Sequence, residues 1–275
     1  MMKRLLSLLF SAALFAASPS PKGTLVIVGG GGMPDAIFQA FVQGAGGKGA
    51  RIGVIPTASG SPEEVLAEWE EDLAKVGLTL VPLRVKTRGD AAAPAVLEAA
   101  GTCSGFWFSG GDQNLTADAV LGTPLHRLVR ERYEAGAVVG GTSAGAAIMS
   151  RIMLNGEDRN GKEALTEIGA GAYRTREGLG FLPDFCIVDQ HFLRRNRENR
   201  LFSLLMDHPQ HLGLGIDEAT ALVVKGGEAR VLGDHAVMVF DPTGMRLSPP
   251  GFQGMTIHLL GPGQGIDLAT RQLLK

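Results

Sequence analysis

The sequence predicts an α/β fold, built on a doubly wound and mostly parallel β-sheet with antiparallel strands near the C-terminus. Through the first two thirds of the chain, short apolar runs alternate with amphipathic segments. This order is typical of a parallel sheet whose crossover helices cover both faces. After about residue 212, short strands separated by glycine-containing turns follow one another directly. That change favours antiparallel strands that complete the same sheet.

The predicted strands are short apolar stretches bounded by turn residues. In the first two thirds they are Thr24–Val28, Arg51–Pro56, Leu78–Leu83, Gly105–Phe108, Ala137–Gly140 and Phe185–Val188. The predicted helices between them are Pro34–Gln43, Pro62–Lys75, Ala91–Ala100, Asn114–Val120 and Pro124–Ala135. Pro62 follows Ser61 and precedes two glutamates, which is a typical helix start. The later strands are Ala221–Val224, Ala229–Leu232, Ala236–Phe240 and Thr256–Leu260.

The first residues have the pattern of a signal peptide. Lys3 and Arg4 precede an apolar run from Leu5 to Ala17, and small residues and prolines follow, as in a cleavable leader. The apolar run is too short to span a bilayer. We therefore expect a signal peptide over approximately residues 1–20, export to the periplasm or the medium, and a single catalytic domain over residues 21–275 without a membrane segment. A frayed N-terminal helix or an uncleaved anchor is the alternative.

Composition and charge exclude several kinds of partner. The 275-residue chain has a net charge of −2 and a pI near 6.3, so nucleic acid and anionic membrane are not expected to bind it. Cys103 and Cys186 lie far apart in apolar segments, which favours buried free thiols over a disulfide. His208 and His211 look like a helix end before a strand and lack a cluster of cysteines or carboxylates at ligand spacing. We expect neither a metal ion nor another cofactor.

The strongest motif is Gly-x-Ser-x-Gly at residues 141–145, between a predicted strand and an apolar helix start. This is the pattern of a nucleophile elbow, in which small neighbours allow a sharp turn that exposes the serine hydroxyl at the edge of the sheet. Ser143 is therefore the predicted nucleophile. The backbone N–H of Ala144, at the start of the following helix, is predicted to stabilise an oxyanion.

A second oxyanion donor is expected from another loop at the same sheet edge. Gly110 and Gly111 follow the strand that precedes the elbow strand, and adjacent glycines let a backbone amide approach a substrate closely. We assign the amide of Gly111 to this role and predict that Gln113 faces the pocket. Asp112 or Asn114 can cap the next helix.

A serine nucleophile needs a base, and the base needs an orienting group. His191 follows a predicted strand and precedes four arginines, which is not the setting of a core histidine, so it is the predicted base. Asp217 and Glu218 are adjacent acids next to a predicted strand, and either could orient the imidazole. The residues alone do not choose between them.

The arginines after His191 indicate the kind of substrate. Guanidinium groups bind carboxylates through paired hydrogen bonds, so several of them beside a base suggest a substrate with more than one carboxylate. The alternative is a solvated helix face that carries Arg194, Glu198 and Arg197, with pairing at spacings of three and four residues. In a helix, Arg194 would turn away from the face that carries His191 and Arg195.

Another glycine-rich turn, Gly29–Gly32, ends the first predicted strand. A dinucleotide-binding loop would need spaced glycines that open a helix and an acid at the end of the second strand, and neither is present. A tight turn at the carboxyl edge of the sheet, bordering a pocket, is therefore the preferred interpretation.

Together these motifs resemble the cyanophycinases, members of the S51 serine peptidases, which also include peptidase E. The resemblance covers nearly the whole chain after the leader and depends on four segments: 110–113, 141–146, Asp189–Phe192 with the arginines that follow, and 215–218. It implies a class I glutamine amidotransferase-like sheet, a homodimer and a Ser143–His191–Glu218 triad, which selects Glu218 over Asp217. It also implies hydrolysis of cyanophycin, a poly-aspartate with arginine on each β-carboxyl, to β-Asp-Arg dipeptides. The implied substrate-binding residues are Gln113, Asp189, Gln190, Arg195, Arg197 and Arg200.

Two other functions fit the same sequence. A dipeptidase or isoaspartyl peptidase would use the same machinery on short aspartyl peptides, but fewer arginines would then be expected after His191. An inactive exported protein that binds the polymer is the other alternative, although no member of the predicted triad is missing. A glutamine amidotransferase is disfavoured because its elbow nucleophile would be cysteine.

Overall fold

The larger of two main β-sheets has five parallel strands followed by three antiparallel ones. The computed structural model describes residues 21–160, 167–249 and 251–275, so the predicted signal peptide lies outside the described residues. In spatial order the parallel strands are β3 (Thr79–Pro82), β2 (Arg51–Ile55), β4 (Gly105–Phe108), β5 (Val138–Thr142) and β1 (Thr24–Val28). The antiparallel strands continue from β1 as β10 (Thr220–Lys225), β11 (Glu228–Gly233) and β16 (Gly265–Asp267).

Helices cover both faces of this sheet, as expected for a doubly wound fold. On one face, α1 (Asp35–Gly44) and α2 (Pro62–Lys75) bury Phe41 and Trp69 against the strands. The other face packs against α3 (Pro94–Gly101), α4 (Gln113–Val120), α5 (Pro124–Ala135) and the short α6 (Ala144–Ala147). The predicted fold class is confirmed, and α2 and α5 have the predicted bounds.

A second sheet corrects the prediction that all strands join one sheet. Its order is β15 (Thr256–Leu260), β12 (Val237–Asp241), β9 (Leu212–Ile216) and β8 (Cys186–Gln190), with β8 and β9 parallel. The segments predicted at 185–188, 236–240 and 256–260 therefore belong here. One face joins the core of the first sheet, while the other packs on α7 (Glu198–Asp207) through a separate apolar cluster. Burial on both faces makes these segments look like central strands, and the apolar pattern does not encode which neighbour each one pairs with.

Two hairpins were not predicted. Strands β6 (Ile152–Asp158) and β7 (Tyr173–Glu177) pair antiparallel, as do β13 (Arg246–Ser248) and β14 (Gly251–Gln253). The polar end of β6 and the charges of β7 hide them from a search for apolar runs. No helix in the described part of the chain combines the length and apolarity that a bilayer crossing needs.

Candidate active site

Ser143 occupies a sharp turn between strand β5 and helix α6. Its backbone has φ 52° and ψ −109°, which is uncommon for a residue with a side chain. The flanking glycines are required for space, because a Cβ on Gly141 would lie 2.5 Å from the carbonyl oxygen of Gly145. A Cβ on Gly145 would lie 2.2 Å from the carbonyl oxygen of Phe108. Close packing on both sides therefore fixes the serine at the carboxyl end of the strand.

Ser143, His191 and Glu218 form a continuous series of hydrogen bonds. His191 Nε2 lies 2.8 Å from Ser143 Oγ, and His191 Nδ1 lies 2.6 Å from Glu218 Oε1. An ionised carboxylate only accepts hydrogen bonds, so Nδ1 carries the proton and donates it to Glu218. In the neutral imidazole, Nε2 is then free to accept the hydroxyl hydrogen of Ser143.

The electrostatics of this series keep the imidazole neutral and the carboxylate ionised. Burial lowers the pKa of His191 below its ordinary value, and the nearby charges of Arg195 and Arg197 lower it further, while the hydrogen bond to Glu218 opposes them. The hydrogen bond with His191 lowers the pKa of Glu218, with smaller contributions from the charges of Arg194 and Arg195. At neutral pH the imidazole can therefore act as a base.

The two main sheets each supply part of this series. Ser143 follows β5 of the larger sheet, whereas His191 follows β8 of the second sheet. Glu218 lies in the short turn that connects β9 of the second sheet to β10 of the larger one. The series therefore lies where the carboxyl ends of β5, β8 and β9 meet.

The glycine turn at residues 29–32 makes room for the base and its orienting acid. A Cβ on Gly30 would lie 2.2 Å from His191 Cε1, and one on Gly31 would lie 2.6 Å from Glu218 Oε2. The backbone of the turn also holds the base, because the N–H of His191 donates to the carbonyl of Gly29 at 2.7 Å. Sequence reasoning placed this turn at a pocket but missed its role. The run of glycines at a strand end was the available signal.

Asp217 has a different task from its neighbour. Its Oδ1 accepts a hydrogen bond of 2.9 Å from the backbone N–H of Arg194, so it braces the turn that follows His191. His191 itself has a φ of 50°, and such a conformation persists only where surrounding contacts enforce it. The ambiguity between the two acids is thus resolved geometrically: Glu218 contacts the imidazole and Asp217 holds the loop.

The two predicted oxyanion donors flank Ser143. A Cβ on Gly110 would lie 3.4 Å from Ser143 Cβ, which places the Gly110–Gly111 turn beside the serine. Gly111 has a φ of 129°, and a Cβ there would lie 1.9 Å from the carbonyl oxygen of Ala58, so only glycine fits. Ala144 is the first residue of α6, and its N–H therefore has no acceptor within the helix.

A cleft of about 440 Å³ opens beside Ser143. Of the predicted substrate-binding residues, it is lined by Gln113, Gln190, Arg195, Arg197 and Arg200. Arg197 is buried and donates to both the backbone carbonyl and the side-chain oxygen of Gln190, at 2.7 and 2.8 Å. Arg195 is half-exposed, whereas Arg194 is largely exposed and does not line the cleft. Residues 191–197 form turns, and α7 begins only at Glu198, so the arginines do not share one helical face.

Asp189 does not line the cleft, contrary to the prediction that it contacts substrate. Only 1% of its side chain is exposed, and its carboxylate takes both hydrogen bonds of a fork from the Arg200 guanidinium. A buried carboxylate needs such a partner, because removing an unpaired charge from water is costly. Asp189 therefore orients Arg200 from behind the cleft.

Sequence reasoning missed the part of the cleft formed by strand β6. Asn155, Gly156 and Glu157 line it together with Asn114 at the start of α4. Gln113 Nε2 donates to the carbonyl of Leu154 at 3.0 Å, which ties α4 to β6 beside the cleft. The segment has no motif and lies outside both the elbow and the arginine-rich segment, so no local signal identified it.

The sequence is similar to those of several known proteins. The family model described as "Peptidase family S51" matches residues 25–232 of the chain. The chain is 35% identical over 251 residues to a curated cyanophycinase of Synechococcus elongatus, covering 86% of this chain and 76% of the relative. It is 34% identical to the cyanophycinase of Geminocystis herdmanii, covering 86% and 89%.

Two solved structures have a similar fold. A peptidase from an acI-B1 Actinobacterium superposes with a TM-score of 0.70 at 26% identity, covering 90% of this chain and 98% of the other. A putative peptidase E from Listeria monocytogenes, at 18% identity and a TM-score of 0.51, supports the fold alone. The protein is thus a serine peptidase with an α/β fold. The chain belongs to peptidase family S51.

Proposed function

We propose that this protein is a serine-type exopeptidase that hydrolyses cyanophycin to β-Asp-Arg dipeptides through an acyl-enzyme. The hydrogen-bonded series from Ser143 through His191 to Glu218, with distances of 2.8 and 2.6 Å, carries the proposal. Similarity to cyanophycinases over 86% of the chain supports the substrate. A cleft lined by three arginines suits a polymer whose arginyl units each bear a free carboxylate.

In the first half of the reaction, Ser143 Oγ attacks a carbonyl carbon of the poly-aspartate backbone while His191 Nε2 takes the hydroxyl proton. The carbonyl oxygen becomes an oxyanion that accepts hydrogen bonds from the amides of Gly111 and Ala144. Glu218 stabilises the imidazolium through Nδ1–H. The imidazolium then protonates the departing amine, the C–N bond breaks, and an ester to Ser143 remains.

In the second half, water replaces the amine. His191 Nε2 takes a proton from the water, whose oxygen attacks the ester carbon to give a second oxyanion in the same position. Collapse of this intermediate breaks the bond to Ser143 Oγ, which regains its proton from His191. The products are a free carboxylic acid and the unchanged enzyme.

The proposal also covers the location, processing and oligomeric state of the enzyme. We place it outside the cytoplasm, in the periplasm or the medium, after removal of residues 1–20, with residues 21–275 as one catalytic domain that forms a homodimer. The leader pattern supports export, and the family resemblance supports the dimer. An exported enzyme would digest polymer supplied from outside the cell.

Replacement of the nucleophile tests the proposed function. Ser143→Ala should reduce dipeptide release from purified cyanophycin by about 10⁴-fold or more, measured by mass spectrometry of the products, and should abolish labelling by a fluorophosphonate. Ser109→Ala is the matched control, because Ser109 Oγ is buried and has no hydrogen-bond partner within the described residues. This control should retain both activity and labelling.

The products discriminate among the functions. Release of β-Asp-Arg identifies the proposed activity, whereas cleavage of short aspartyl peptides with intact polymer identifies a dipeptidase. A protein that binds polymer without reacting with the fluorophosphonate is the inactive binder. Turnover retained by Ser143→Ala would contradict the proposed mechanism.

A further inference from the structure

Glu157 is a carboxylate in the cleft that the proposed mechanism does not use. It lies on strand β6, and the same cleft is lined by Arg195, Arg197 and Arg200. Its side chain is 45% exposed, so the carboxylate remains accessible to a ligand. A cleft that combines several guanidinium groups with an accessible carboxylate is suited to a substrate that carries both charges.

The other acids near the cleft each have a structural or catalytic role. Asp189 is buried behind it in the ion pair with Arg200. Asp112 lines the cleft but caps α4, accepting hydrogen bonds of 2.8 and 2.9 Å from the backbone and side-chain nitrogens of Asn114. Glu218 is committed to His191. Oδ2 of Asp112 accepts no hydrogen bond within the described residues, but the cap holds the Asp112 carboxylate at the start of α4. Glu157 is thus the cleft-lining acid that has no role in a helix cap, in the triad or in the buried ion pair.

The partners of Glu157 leave one of its oxygens available. Oε2 lies 3.1 Å from Nη1 of Arg174, whose side chain is 51% exposed. Exposed pairs of this kind are weak and can yield to, or share the carboxylate with, a second cation. Within the described parts of the chain, Oε1 accepts no hydrogen bond.

The backbone beneath Glu157 is held to the catalytic side of the cleft. The N–H of Glu157 donates to Asn155 Oδ1 at 2.9 Å, and Asn114 Nδ2 donates to the carbonyl of Asn155 at 3.0 Å. Gln113 makes the adjacent tie to β6. Since only one residue separates Gln113 and Asn114 from the Gly110–Gly111 turn beside Ser143, the position of the carboxylate is coupled to the position of the nucleophile.

We propose that Glu157 binds the guanidinium group of the substrate's arginyl unit and so determines the specificity for arginine on the polymer. The inference rests on the proposed function. Carboxylate and guanidinium make paired, charge-assisted hydrogen bonds, and Glu157 supplies the carboxylate. The cleft arginines then bind the carboxylate of the arginyl unit, so its positive and negative groups bind at separate sites.

A pair of synthetic substrates tests the assignment. One is a short β-Asp-Arg oligomer, and the other carries citrulline, a neutral isostere, in place of each arginine. The wild-type enzyme should favour the arginine oligomer by about 10- to 100-fold in kcat/KM, the range expected for hydrogen bonds to a charged group. Glu157→Gln should reduce that ratio to near one by raising KM for the arginine oligomer, with little change for the citrulline oligomer.

The control variant is Glu177→Gln on the neighbouring strand β7. Among the described residues, Glu177 is not part of the cleft lining and its one ion pair is a distant exposed one, 3.9 Å from Arg151. The same change in net charge there should therefore leave the ratio intact. Fluorophosphonate labelling of both variants reports an intact nucleophile. If Glu157→Gln lowers activity on both oligomers equally, or leaves the ratio unchanged, the assignment is wrong while the proposed function stands. If the wild-type enzyme labels but cleaves neither oligomer, the proposed substrate fails and this assignment fails with it.

Discussion

At the scale of single residues, the site depends on two strained backbones. Ser143 and His191 both have positive φ values, 52° and 50°, and each is held by hydrogen bonds from a neighbouring strand or turn. Such conformations cost roughly 1–3 kcal/mol each and persist where the surroundings enforce them. Here the enforcing contacts include the carbonyls of Val28 and Gly29, which accept the backbone N–H groups of Ser143 and His191.

The charges around His191 predict the pH dependence of the reaction. His191 must be neutral to accept a proton, and its pKa lies below the ordinary histidine value because of burial and nearby arginines. The midpoint of the acidic limb in a plot of kcat/KM against pH should therefore lie at a lower pH than the pKa of an ordinary histidine. Arg195→Gln removes one of the charges that lower this pKa, so the limb should move to higher pH, whatever the loss in maximal rate.

Arg194→Gln is the control for this experiment. Arg194 is largely exposed, and its charge acts on Glu218 rather than on His191, so the acidic limb should stay in place. An acidic limb that stays fixed or moves to lower pH in Arg195→Gln would contradict the electrostatic account.

At the scale of elements, the elbow depends on contacts with two neighbouring strands as well as on its own turn. Gly145 packs against the carbonyl of Phe108 at the end of β4, and Ser143 bonds to the end of β1. Strands β4, β5 and β1 are neighbours in the sheet. The motif thus reflects how closely the first turn of α6 approaches the adjacent strand.

Glycine substitutions test this packing. A Cβ at Gly145 would lie 2.2 Å from a backbone oxygen, which cannot move without shifting β4, so Gly145→Ala should destabilise the protein by about 1–3 kcal/mol or more. It should also reduce fluorophosphonate labelling. At roughly 2–4 °C per kcal/mol for a chain of this size, thermal unfolding should show the change clearly.

Gly101→Ala is the matched control. Gly101 ends α3, has open space around its Cβ position and requires no positive φ. Alanine there should leave labelling unchanged and raise stability by about 0.4–1 kcal/mol through the lower entropy of the unfolded chain. Equal melting temperatures for the two variants would show that the elbow is not packed as described.

At the scale of the whole molecule, one large apolar core joins the two main sheets. It includes Leu25 and Val139 of the larger sheet, Val188 and Leu214 of the second, and both cysteines. Because Ser143 belongs to one sheet and His191 to the other, the packing of this core sets the distance between nucleophile and base. A core mutation far from the cleft can therefore alter activity through geometry.

The cysteines report on the integrity of this core. Cys103 and Cys186 are free and fully buried, as predicted. Burial raises the pKa of Cys186 to about 12 and also raises that of Cys103, so neither thiol is ionised at pH 8. In native protein both should resist a water-soluble disulfide reagent, and both should react after unfolding in guanidinium chloride. Rapid modification of Cys186 in the native protein would contradict the packing described for the second sheet.

The sequence by itself determined the fold class, the nucleophile elbow and the separate segments that carry His191 and its neighbouring acids. These are local properties: apolar periodicity, glycine spacing and side-chain chemistry are all written within a few consecutive residues. In the sequence, only the family resemblance selects Glu218 over Asp217. The two adjacent acids have the same chemistry and differ in where their side chains point, which the residues alone do not show.

Only the tertiary structure decided how these segments meet. It divided the strands between two sheets, placed Asp189 behind the cleft, gave Gly30 and Gly31 their place beside His191 and Glu218, and brought β6 with Glu157 to the cleft. Strand pairing and burial arise from contacts between residues far apart in sequence. The sequence specifies the chemistry of each side chain, whereas the distances between side chains and their hydrogen-bond partners are set only when the chain folds.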